Sequence, residues 1–180
     1  MRGVLLVVAA TDRELACAAG AETLCCGIGP VEAALQTSRA LERIRPEAVL
    51  HIGVAGARSV EPPALVIGSE SVYCDTLDPA FTLERVERIR PDAGLLAAVR
   101  AALPEALVLP IATSGRVGGG GECDVEAMEG FGVLRAAALA GIPAIELRAV
   151  SNAVGEPDRA KWRIDDALAA LAEAVPKLLR

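Results

Sequence analysis

Acidic and amide side chains stand where apolar runs of this chain end, and they are the residue types that acid–base chemistry requires. Glu14 follows the first apolar run, residues 4–8. Glu126 and Glu129 are three apart, a spacing that puts both on one face of a helix. Arg148, Ser151 and Asn152 close the apolar run 144–150. A carboxylate beside a water can take its proton during attack, and a second carboxylate can stabilise a developing cation. An amide can both donate to a departing group and accept from it. Each of these residues alone reads as a solvated surface group. Their shared position at strand ends is the informative feature, because the carboxyl ends of the strands in a parallel sheet form the crevice where ligands bind.

Other chemistries lack their residues. The single histidine, His51, falls in a predicted buried strand and reads as a packed strand residue, so any nucleophile–histidine system would hinge on it alone. There is no Gly-x-x-x-x-Gly-Lys-Ser/Thr loop and no pair of histidines, so neither a cofactor nor a metal is expected. Gly27-Ile28-Gly29 precedes a helix but lacks the third glycine of a dinucleotide turn, and reads as a tight strand-to-helix turn. The five cysteines are odd in number and form no Cys-x-x-Cys pair. They read as small buried hydrophobes in a reducing compartment, which implies a cytoplasmic protein.

The elements that must position these groups follow from length and pattern. The chain has 180 residues and 18.5 kDa, with 53% hydrophobic and 23% charged residues, which fits a single domain over residues 1–180. A net charge of −6 argues against nucleic acid or anionic lipid as a partner. No apolar run approaches the roughly 20 residues of a membrane span. The apolar opening runs at once into Thr11-Asp12-Arg13-Glu14 where a signal peptide would need a cleavage site, so it reads as a first strand.

Residues 4–8, 23–26, 48–52, 65–67, 71–73, 107–111 and 144–150 read as buried strands, the pair 65–67 and 71–73 forming either a hairpin or one bent strand. Helices are predicted at 30–44, with Pro30 in the first turn, and at 92–103, capped by Asp92. Two more are predicted at 125–140, stopped by Gly141 and Pro143, and from 159 or 160 to 179. Alternating strands and helices imply an α/β fold with a largely parallel sheet. Gly118 to Gly121 reads as a mobile loop.

Four segments together resemble the nucleoside phosphorylase/nucleosidase superfamily: Ala9-Ala10-Thr11-Asp12-Arg13-Glu14-Leu15; Cys26-Gly27-Ile28-Gly29-Pro30-Val31-Glu32-Ala33-Ala34; Ile52-Gly53-Val54-Ala55-Gly56-Ala57; and Met128-Glu129-Gly130 with Ile145-Glu146-Leu147-Arg148-Ala149-Val150-Ser151-Asn152. The continuation through Pro157-Asp158-Arg159 to Trp162 is similar to the futalosine hydrolase branch. The resemblance implies a three-layer α/β/α sandwich around a mixed, mostly parallel sheet, assembly as homo-oligomers, and cleavage of the bond between a purine and ribose.

Carried over by position, Glu129 would hold the ribose hydroxyls and Met128 would pack on the sugar. Glu14 would activate the attacking water, and Asn152 would contact the imidazole side of the base. Arg148 and Ser151 would hold that last loop in place. Val54 joins the substrate-binding set, and Phe81 would either reach a neighbouring subunit's site or pack in the core.

An asparagine offers a donor to a 6-oxo group and an acceptor to a protonated ring nitrogen, whereas aspartate suits a 6-aminopurine. The implied substrate is therefore a 6-oxopurine nucleoside, futalosine or inosine. Residues 53–56 carry no hydroxyl for phosphate and Glu14 would repel it, so hydrolysis is expected rather than phosphorolysis. The segment between Ser114 and Val125 is short and lacks an aromatic to stack on the base. That leaves open a methylthioadenosine/adenosylhomocysteine nucleosidase, or a non-catalytic binding or assembly protein on the same fold.

Overall fold

The computed structural model describes residues 4–75 and 86–179; Phe81 lies outside them. Eight strands form one mixed sheet: β1 (Leu5–Ala9), β2 (Glu22–Cys25), β3 (Ala48–Ala57), β4 (Leu65–Tyr73), β5 (Arg88–Ile89), β6 (Leu107–Thr113), β7 (Val125–Ala127) and β8 (Ala144–Ala153). The helices are α1 (Asp12–Leu15), α2 (Pro30–Ile44), α3 (Ala93–Ala102), α4 (Gly130–Leu139) and α5 (Ile164–Leu178).

The apolar runs are continuous because both faces of the strands are covered. On β1, Leu6 and Val8 pack with Ala33 and Leu41 of α2 and with Val133, Leu134 and Ala137 of α4. Val7 and Ala9 point the other way, into a core with Val99 of α3 and Ala167, Leu171 and Val175 of α5. This is the three-layer α/β/α arrangement. β1 pairs in parallel with β2 and β3, and β3 in parallel with β8, while β8 runs antiparallel to β4. The short β7 bridges β3 and β6, so that β3, β8, β4, β6 and β7 close into a ring. That closure brings segments more than a hundred residues apart to one end of the sheet.

Helix signals in the sequence act as read. Pro30 opens α2, and Asp92 accepts from the Leu95 N–H at 2.9 Å to cap α3. Gly141, at φ +70°, follows the end of α4. Several expectations are corrected. The helix predicted over 125–140 is a strand, β7, followed at Gly130 by α4, because Val125 and Glu126 pair with β3 and β6 before the helix can begin. Glu126 and Glu129 therefore do not share a helix face.

Of the two forms expected for residues 65–73, the structure takes the single strand, with a register shift between Gly68 and Glu70. Residues 53–56 belong to β3, which extends five residues beyond the strand predicted at 48–52. The glycine loop is folded onto Glu126, whose carboxylate accepts the Gly118 N–H at 2.5 Å and the Gly120 N–H at 3.0 Å. At the end of the chain, Arg159–Lys161 is a single 3₁₀ turn ahead of α5. Among the cysteines, Cys26 and Cys74 are buried as expected but Cys25 is exposed; all five are free thiols.

Candidate active site

Thr11-x-x-Glu14 is a capping box, a local sequence signal for the start of a helix. Thr11 Oγ accepts the Glu14 N–H at 3.3 Å, and Glu14 Oε2 accepts from the Thr11 N–H at 3.0 Å and its hydroxyl at 2.8 Å. Glu14 Oε1 accepts the Val54 N–H at 3.0 Å from the neighbouring β3. Four lone-pair interactions are open to a carboxylate and three are used. One α1 turn and one β3 amide thus aim a buried acid.

Glu129 sits at the N-cap of α4, where the end of β7 delivers it. Its Oε1 accepts the Gly29 N–H at 3.1 Å, and Oε2 lies 3.5 Å from Arg148 Nη2. Gly29 has φ +96°, which only glycine adopts freely, and this turn is what points its amide at Glu129. The glycine turn noted in the sequence therefore serves the site.

Asn152 lies near the end of β8, paired with Gly56. Its Oδ1 accepts from the Ser151 hydroxyl at 2.8 Å and its Nδ2 donates to the Ala153 carbonyl at 3.0 Å. Ser151 is itself buried, its hydroxyl 3.2 Å from the Ala55 carbonyl. One N–H and one lone pair of the Asn152 amide remain for a ligand.

These groups converge. A cavity of about 680 Å³ is lined by Glu14, Val54, Met128, Glu129, Ser151 and Asn152, together with Glu126, Arg159 and Trp162. That volume lies within the range of small-molecule sites. Arg148 stands behind the wall, 1% exposed, and its Nε donates to Glu146 Oε1 at 2.8 Å. Burial works against its charge, but Glu146, Glu129 and Glu14 together raise its pKa above the ordinary value, so the guanidinium is a fixed cation. Burial pushes the Glu146 carboxyl up, with Arg148 opposing the shift. The Cys26 thiol is pushed up to about 12 by burial and then by Glu129, so it is inert. Among the described residues, no group of three His, Cys, Asp or Glu could hold a metal ion, and no helix is long and apolar enough to cross a membrane.

Two residues of this neighbourhood escaped the sequence reading. Glu146 sits inside an apolar run, where the one available signal is a charge among buried residues. His51 is buried as expected, yet it also accepts from Arg148.

Comparison with known proteins places the chain in a family. The phosphorylase superfamily model matches residues 23–123. A futalosine hydrolase of Thermus thermophilus is 32% identical in an alignment of 183 positions that covers 85% of this chain and 78% of that protein. A futalosine hydrolase of Streptomyces coelicolor is 70% identical over 53 residues, a stretch that spans 29% of this chain and only 23% of the Streptomyces protein. The crystal structure of a 5′-methylthioadenosine/S-adenosylhomocysteine nucleosidase from Colwellia psychrerythraea, in complex with adenine, superposes with a TM-score of 0.86 at 19% identity, covering 99% of this chain and 94% of that one. That likeness is one of fold. The family model over more than half of the chain and the relative matched along most of its length show the family: the chain belongs to the phosphorylase superfamily.

Proposed function

We propose that this protein hydrolyses the N-glycosidic bond of a 6-oxopurine nucleoside, futalosine in the first instance, releasing hypoxanthine. The observation that carries this reading is the convergence of Glu14, Glu129 and Asn152 on one cavity. Cleavage passes through a cation-like sugar and a departing purine anion. Glu129 is the group to hold the ribose and stabilise the growing positive charge, with Met128 against the sugar. Glu14, its oxygens oriented by Thr11 and Val54, takes the proton from water. The free N–H of Asn152 donates to the 6-oxo group, and its free lone pair accepts from the imidazole nitrogen once that atom of the leaving base has taken a proton from solvent. The futalosine hydrolase names of the sequence relatives support the choice of substrate.

Residues 53–56 present no hydroxyl to the cavity, and a carboxylate beside the attack position favours water over phosphate. Incubation with futalosine and with inosine, following hypoxanthine with and without phosphate, tests this. Release that is independent of phosphate is expected, and strict dependence on phosphate would overturn it.

We further propose one folding unit that assembles as a homo-oligomer. In support, Ile28, Val31 and Leu35 are 64%, 67% and 63% exposed at the start of α2, and Ile28 also lines the cavity. An apolar stripe at a site mouth is the kind of surface that a second copy covers. Light scattering at micromolar concentration reports the mass, and a monomer would refute the assembly.

A further inference from the structure

His51 and Glu146 are fully buried polar residues that do not line the cavity described above. His51 Nδ1 lies 3.0 Å from the Val8 carbonyl oxygen. A carbonyl only accepts, so Nδ1 carries the proton and Nε2 is the bare nitrogen of a neutral ring. Burial, followed by the adjacent guanidinium, holds the ring's pKa well below the usual 6.5, which keeps it in that form. Arg148 Nη2 donates to this Nε2 at 2.5 Å.

Glu146, the register partner of His51 on β8, takes the Arg148 Nε–H at 2.8 Å. Its other oxygen, Oε2, has no hydrogen-bond partner and lies against Gly130, where a Cβ would collide with it. The remaining reach of the guanidinium is toward the site. Nη2 is 3.5 Å from Glu129 Oε2, and Nη1 is 3.5 Å from the carbonyl of Val54, the residue whose N–H holds Glu14. Gly53 leaves room for this: a Cβ there would overlap Arg148 Nη1 and stand 2.8 Å from Glu14 Oε1.

The Nε–H bond to Glu146 restrains rotation of the guanidinium about Cδ–Nε, and the contact at His51 adds a second restraint farther from that axis. Together the two acceptors fix its plane. We propose that His51 and Glu146 are positioning residues, a two-point clamp that sets the Arg148 guanidinium so that one cation braces both Glu129 and the strand that orients Glu14. A buried ion pair by itself contributes little net stability compared with apolar residues of the same volume, and the two-acceptor arrangement accounts for polar groups at these core positions. The clamp is a statement about the apo protein, and only its kinetic consequence rests on the nucleosidase reading.

The single histidine makes the test direct, since ¹⁵N-labelled protein yields one imidazole ring. The expected spectrum has a protonated Nδ1 and a bare Nε2 down to about pH 5.5, a pH at which a free histidine is mostly charged. Because Nη2 is shared, Glu129→Gln should displace the His51 Nε2 resonance. In kinetics, His51→Asn keeps a donor near the Nδ1 position but loses the acceptor, and His51→Gln places an amide oxygen near the Nε2 position. The first should lower kcat about tenfold or more, with KM moving less, and the second should recover most of that loss.

A protonated Nε2, a resonance indifferent to Glu129→Gln, or equal loss in the two His51 variants would overturn the clamp. If no nucleoside is cleaved at all, the proposed function fails, and the two spectroscopic results decide the clamp alone.

Discussion

Replacing Gly53 by alanine perturbs the site through the smallest possible change. The new methyl group would overlap Arg148 Nη1 and press to 2.8 Å from Glu14 Oε1. The Arg148 terminus is pinned from behind by His51 and Glu146, so it cannot swing away freely. Overpacking of a close-packed interior costs about 1–3 kcal/mol. For a chain of this size that corresponds to a fall in Tm of about 2–12 °C.

The activity should fall further than the stability suggests. Relieving the overlap moves Arg148 or Glu14 by about 1 Å, and a misplacement of that size costs about 10²-fold in rate. Gly56→Ala is the internal control, because its Cβ would meet Asn152 Nδ2 at 3.2 Å and Val154 Cγ2 at 3.3 Å, contacts that shifts of a few tenths of an ångström relieve. It should cost less than about 1.5 kcal/mol. The assay is hypoxanthine release from futalosine or inosine, alongside a thermal melt of each variant. A Gly53→Ala protein with unchanged kcat and Tm, or a Gly56→Ala protein more damaged than it, would refute the reasoning.

Glu14→Gln should lower kcat by about 10²–10⁴-fold, the range for loss of a general base, with the fold retained by circular dichroism. Asn152→Asp should shift the ratio of kcat/KM for adenosine over inosine upward by about tenfold or more, read from initial rates on both nucleosides. Stability should fall as pH drops below about 6.5. His51 is held neutral in the folded protein while the unfolded chain takes up a proton there, so the loss accrues at up to about 1.4 kcal/mol per pH unit until the depressed folded pKa is reached. Glu146, with its pKa raised, works in the opposite sense, its cost growing as pH rises from its ordinary 4.5 toward the folded value. Urea melts of the wild type and of His51→Gln from pH 5 to 8 should show the acid-side slope reduced in the variant.

Local patterns in the chain carry most of the secondary structure. Pro30 and Asp92 mark helix starts and Gly141 a helix stop, each through a backbone preference that acts within a few residues. The apolar runs mark strands because both faces are buried, a property that composition reveals. The segment 125–140 misleads for the same reason. Its residues suit a helix locally, and only pairing with β3 and β6 makes its first three a strand.

The amino-acid sequence alone determined that this is an α/β protein with acids and an amide at strand ends, since residue type and short-range spacing express those features. The tertiary structure decided which acids meet. It bound the Glu126 carboxylate to the glycine loop and the Glu129 carboxylate to Gly29 and Arg148, although both line the cavity, and it brought His51, Glu146 and Arg148 together from strands nearly a hundred residues apart. The physical reason is that hydrogen bonds across strands depend on register and ring closure, and no local run of residues encodes the partner on the far side.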